Sequence, residues 1–75
     1  MHRLGKYMNA MEEYTISIEI NPNNADAIGN RALIYLKAGD VQSALIDFER
    51  SCELGLESSC KTLRELKARM EDRGR

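Results

Sequence analysis

Two stretches of the chain are near-copies of each other. Laid over one another at an offset of 34 residues, GKYMNAMEEYTISIEINP (5–22) and GDVQSALIDFERSCELGL (39–56) share Gly5 with Gly39, Ala10 with Ala44, Ser17 with Ser51 and Glu19 with Glu53. The pairs Tyr7/Val41, Met11/Leu45, Tyr14/Phe48, Ile18/Cys52 and Ile20/Leu54 keep their apolar or aromatic character. A fixed period in this range marks a repeat architecture, in which one supersecondary unit hides its apolar face against the next.

The spacing within each copy is helical. Val41, Ala44, Leu45, Phe48, Ser51 and Cys52 step along one stripe of an amphipathic helix, and Tyr7, Ala10, Met11, Tyr14, Ser17 and Ile18 do the same. Asp40 suits an N-cap because its carboxylate accepts orphan backbone N–H groups, and Gly55 suits the left-handed residue beyond a helix end. Asn21 and Pro22 close the first helix. Residues 25–38, ADAIGNRALIYLKA, predict another helix, capped by Asn24 and followed by Gly39. One face of it carries Ile28, Ala32 and Tyr35; the other carries Asp26, Gly29, Asn30, Leu33 and Lys37. A last helix, about 58–73, starts at Ser58 or Ser59 and has a narrow stripe of Cys60, Leu63, Leu66 and Met70. The expectation is all-α.

Seventy-five residues allow one domain with a thin core. The formal charge of −1 excludes wholesale electrostatic recruitment to nucleic acid or membrane. Charge is nonetheless uneven: residues 61–75 hold Lys61, Arg64, Lys67, Arg69, Arg73 and Arg75 against Glu65, Glu71 and Asp72. Those acids interrupt the basic run and no aromatic side chain is there to stack on a base, so a solubilising cap is the better reading, with contact to nucleic acid or an acidic lipid surface as the rival. No apolar run approaches the roughly 18 residues of a membrane span, and MHRLGKYMNA is not a secretory signal.

The spacing Tyr35-x3-Gly39-x4-Ala44-x3-Phe48 resembles the tetratricopeptide repeat, a 34-residue helix–turn–helix, and Gly5-x4-Ala10-x3-Tyr14 followed by Pro22 is similar to the second half of the same motif. The resemblance implies antiparallel helix-turn-helix repeats of an α-solenoid fragment. Residues 4–22 would be half a repeat (helix B), 25–55 a full repeat, and 58–73 a capping helix. Ala32 and Ala44 would sit where helices approach closely, with Tyr35 and Phe48 filling the space beside them. Ile28, Arg31 and Leu56 depart from the usual tryptophan, leucine and closing proline, and Arg31 suggests looser packing on its side.

The family resemblance implies a protein-binding module without catalysis. Helices A of the family line a concave surface that receives a peptide, which places the candidate lining here at Asp26, Gly29, Asn30, Leu33 and Lys37. In that role Gly29 would leave room for a ligand backbone, Leu33 would give apolar contact, and Asn30 and Lys37 would donate hydrogen bonds. Asn30-Arg31 also resembles the chaperone-tail-binding subfamily, whose carboxylate clamp needs a lysine and an asparagine on a preceding helix A that is not found in this sequence. With that helix A missing, part of the stripe through Tyr7, Met11 and Tyr14 is expected to lie uncovered, predicting self-association or a place in a longer array.

Cys52 and Cys60 are read either as buried small hydrophobes or as a staple across a turn. SCELGLESSC resembles the junctions of SEL-like repeat proteins, in which cysteines so spaced pair between neighbouring helices. Two thiols and a lone His2 fall short of a zinc site, so no metal is expected. No glycine-rich phosphate loop and no Ser-His-Asp set is present; catalytic residues, cofactors and small-molecule substrates are therefore expected to be none.

Overall fold

The structure, a computed structural model, describes the backbone of residues 2–73 and the side chains of residues 8–71. Four helices follow one another: α1 (His2–Ile20), α2 (Ala25–Lys37), α3 (Val41–Glu53) and α4 (Glu57–Arg73). The turns between them follow from local chemistry. Asn24 caps α2 by accepting from the Ala27 N–H, and Asp40 caps α3 by accepting from the Ser43 N–H.

The two helix ends that close on glycine are built alike. Gly39 has φ +88° and Gly55 φ +105°, the left-handed region that a side chain disfavours. Around Gly39, the Asp40 N–H reaches the Tyr35 carbonyl and the Gly39 N–H that of Leu36; around Gly55, Leu56 reaches Ser51 and Gly55 reaches Cys52. Both are Schellman closures, which satisfy the last carbonyls of the helix. The difference comes next in sequence. Asp40 goes on to cap α3, whereas Leu56 stands at the head of α4 and turns its side chain inward.

The helices pack in sequence order, α1 on α2, α2 on α3 and α3 on α4. The result is a slab of 38 × 33 × 15 Å. Its apolar interior is divided in two. Between α1 and α2 lie Ile18, Ala27 and Ile28 with Tyr14 packed against them. Among α2, α3 and α4 lie Ala32, Ala44 and Phe48, flanked by Tyr35, Leu36, Leu63 and Leu66. Ala32 and Ala44 are fully buried, as the close approach of α2 and α3 requires.

Arg31 corrects an expectation. Rather than loosening its side of α2, it ties three helices together. Its Nε and Nη2 donate to the two carboxylate oxygens of Asp47 on α3, at 2.7 and 3.1 Å, and its Nη1 donates to Thr15 Oγ1 on α1 at 3.4 Å. The guanidinium also lies 5.8 Å from the centre of the Tyr35 ring. Asp47 is only 2% exposed, so the pair is a bidentate ion pair withdrawn from water. Hydrogen bonding to Asp47 holds the Arg31 pKa above its ordinary value against the lowering effect of burial, with the charges of Asp47 and Tyr35 reinforcing it.

On α1 the stripe expected to lie partly uncovered is half covered where its side chains are described. Tyr14 is half-buried on the Ile18–Ile28 cluster, and Met11 is half-buried too. The Tyr7 side chain falls outside the described residues. The apolar side chains that α1 does expose are Met8, Ile16 and Ile20, at 70%, 50% and 80%. No described helix is long and apolar enough to cross a membrane.

Candidate functional site

Where α2 passes the head of α4, the surface dips into a cleft of about 120 Å³. Gly29, Asn30 and Leu33 form its α2 wall, Phe48 its floor, and Leu56, Ser58, Ser59 and Thr62 the opposite wall. Pockets that hold drug-sized molecules run to about 300–1,000 Å³, so this one has the size for a single side chain. Its lining offers hydroxyls, an amide and apolar carbons, and none of the lining residues is charged. Occupancy would therefore be set by shape and neutral hydrogen bonds.

Three of the five residues expected to line a binding surface, Gly29, Asn30 and Leu33, are brought together here. Asp26 and Lys37 are exposed near the two ends of the same helix and stand outside the cleft. Leu33 is 43% exposed, an apolar edge at the rim. Gly29 has a different part from the one expected. A Cβ built there would meet Leu56 Cδ2 at 2.8 Å and Ser59 Oγ at 3.0 Å. The room left by the missing side chain is thus filled by the chain's own α3–α4 turn, not held open for a ligand backbone. This also gives Leu56 its reason to replace proline: its side chain plugs the hollow over Gly29.

Sequence reasoning missed the wall opposite α2. Ser58, Ser59 and Thr62 look like ordinary polar residues of a capping helix; the packing of Leu56 on Gly29 and of Leu63 and Leu66 on the core brings them to face Asn30 and Leu33. The junction carrying them is closed by a disulfide between Cys52 and Cys60, with Cα atoms 4.7 Å apart, which decides between the two readings of these cysteines in favour of the staple. Beyond the disulfide, on surface that shares no residue with the cleft, an open groove is lined by Cys52, Glu57, Cys60, Lys61, Leu63 and Arg64. Among the described residues no three His, Cys, Asp or Glu side chains gather as a metal site would require.

A family model described as tetratricopeptide repeat matches residues 13–46, which run from the middle of α1 through α2 into α3. The chain belongs to the tetratricopeptide repeat family. Serine/threonine-protein phosphatase 5 of Homo sapiens is 46% identical over 48 residues, 64% of this chain and 10% of that protein. Tetratricopeptide repeat protein 14 of Mus musculus is 33% identical over 51 residues, 68% of this chain and 7% of that protein. Hsp70-Hsp90 organizing protein 1 of Glycine max is 43% identical over 49 residues, 65% of this chain and 9% of that protein. The chain thus spans a tenth or less of the length of these relatives. What they share with it is the tetratricopeptide repeat, a non-catalytic fold for protein–protein contact. The cleft lies on the side where α2 meets α4.

Proposed function

We propose that this chain docks a segment of a partner protein on the face of α2, with one side chain of that segment seated in the cleft. The observation carrying the reading is the convergence of Asn30 and Leu33 from α2 with Ser58 and Thr62 from α4 around a hollow floored by Phe48. An extended segment laid along α2 would place an apolar residue against Leu33 and Phe48. Its backbone would meet the Asn30 amide and the hydroxyls of α4, while Asp26 and Lys37 would contact its flanks. In this reading residues 4–22 act as a half repeat, 25–55 as the receptor repeat and 58–73 as both cap and second wall. The name of one relative couples it to Hsp70 and Hsp90, which makes these chaperones the first natural partners to try. Arg31 would take no part in holding a partner's carboxylate, because Asp47 already occupies it.

The test is a selection of dodecapeptides displayed on phage, followed by a nuclear magnetic resonance titration of the best one. Shifts centred on Asn30, Leu33, Ser58 and Thr62, abolished in Leu33→Glu, support the reading. A selection that yields no binder, or shifts confined to α1, overturns it. A second reading, contact between copies of the chain through α1, rests on the exposure of Met8, Ile16 and Ile20. It predicts a sedimentation coefficient that rises with concentration and becomes constant in Ile16→Glu/Ile20→Lys.

A further inference from the structure

We propose that the Cys52–Cys60 disulfide is a redox gate on the docking cleft: closed, it holds the α4 wall in register with α2, and opened by a dithiol it releases that wall and weakens binding. The inference rests on the docking reading and adds its regulation.

The bond is placed to do this. Its loop, residues 52–60, contains Leu56, Ser58 and Ser59, three of the eight residues that line the cleft. Leu56 and Ser59 are also the two side chains seated over Gly29. The disulfide therefore spans the segment that positions one whole wall. Against α2, the turn is held by packing on a glycine, which presents no side chain to grip. On its other flank α4 is fastened to α3 further along, by Leu63 and Leu66 packed on the Phe48 cluster and by an exposed ion pair between Lys67 and Glu49 at 3.3 Å that holds little in water. At the turn itself the disulfide adds a covalent restraint to the backbone closure around Gly55 and the packing over Gly29.

The bond is also reachable. Both sulfurs belong to half-buried residues that line the open groove on the far side of the junction from the cleft. Lys61 and Arg64 border that groove, with Glu57 opposing them. Net positive charge favours both the attacking thiolate and the thiolate that leaves. A reductant thus reaches the bond without passing through the docking site. The exchange is a two-electron step. One thiolate of the dithiol attacks a cysteine sulfur, the Cys52–Cys60 bond breaks with the other cysteine leaving as thiolate, and the second thiolate attacks the reagent's sulfur in the mixed disulfide, displacing the bound cysteine as thiolate. The dithiol ends as a cyclic disulfide, and its two protons end on Cys52 and Cys60.

The experiment uses the selected dodecapeptide, fluorescently labelled, with the intact chain oxidised, reduced by dithiothreitol and reoxidised after its removal. Amide hydrogen exchange is followed in the same three states. Expected are a dissociation constant at least about fivefold weaker on reduction, recovered on reoxidation, and faster exchange at Leu56, Ser59 and Cys60 by a factor larger than the common acceleration that the lost cross-link gives Ala27, Ile28 and Ala32. Cys52→Ser/Cys60→Ser should bind like the reduced chain and ignore dithiothreitol. Equal affinity in both redox states overturns the gate and leaves the docking reading standing. Acceleration as large in α2 as in the turn overturns it as well, since the bond would then support only the fold as a whole. No peptide binding in any state overturns the docking reading, and the gate with it.

Discussion

Replacing Arg31 by methionine tests the packing of the first three helices most directly. The substitution keeps most of the aliphatic bulk and removes the cation. Asp47 is then left at 2% exposure with one cationic neighbour, Arg50 Nη1, at 3.7 Å on a side chain that is 43% exposed. Breaking a buried pair by deleting one partner costs about 3–5 kcal/mol, because the surviving charge is desolvated and unpaired. Arg50 can swing closer and recover part of this, so the lower end, about 3 kcal/mol, is expected. A chain of this length has only about 4–11 kcal/mol to lose. With a urea m-value near 1 kcal/mol per molar, the midpoint followed by far-ultraviolet circular dichroism should fall by about 3 M. The double variant Arg31→Met/Asp47→Leu removes both charges together and should return to within about 1 kcal/mol of the parent. If Arg31→Met alone costs less than about 1 kcal/mol, the pair behaves like a solvated surface contact, and its tie across three helices is not what secures them.

Gly39→Ala, at φ +88° with open space around it, should cost about 1 kcal/mol through backbone strain alone, read as a lower urea midpoint with an unchanged slope. At Gly29, alanine sets a helix-propensity gain of about 1 kcal/mol against the push on Leu56 and Ser59, and should be near neutral by thermal melting. Valine at the same place forces the turn away; a loss of more than about 2 kcal/mol and weaker peptide binding are expected. Cys52→Ser should lower stability by about 2–3 kcal/mol, the chain-entropy value for so short a loop, measured by urea titration without reductant. For Arg31, a folded pKa raised above the ordinary value means its contribution is complete below the unfolded pKa and is lost only as pH climbs through the folded one. Both lie far above neutrality, so from about pH 6 to pH 9 that contribution should stay flat in denaturation curves.

The helices, their caps and their glycine ends were legible because each depends on residues within a few positions. The stripe that named Ala44 and Phe48 was read from period alone, and both are buried. What was not legible depends on partners brought from elsewhere in the chain. Asp47 interrupts the apolar pattern between Ile46 and Phe48 and so passes for a surface residue. Its pairing did leave a trace: Arg31 and Asp47 are equidistant from Gly39, and Thr15 and Arg31 are equidistant from Asn23. In antiparallel helices joined by a short turn, such positions come face to face. Opposite charges placed symmetrically about a predicted turn were the available signal. Gly29 was misread because nothing local distinguishes a glycine that admits a ligand from one that admits the chain's own leucine. The cleft residues of α4 left no trace of this kind, since their place is set by that contact together with the disulfide and the packing of Leu63 and Leu66.

The main packing runs in sequence order, so no helix is clasped from both sides by distant parts of the chain. Its contacts are short-range, so folding should be quick and the last parts to fasten should also be the first to open. Warming would then peel the row from its α1 end, where a small apolar cluster and the reach of Arg31 to Thr15 are the described grips, while the covalently tethered α4 stays with the central hairpin. A partner lying across α2 and α4 would meet the half of the molecule that melts last.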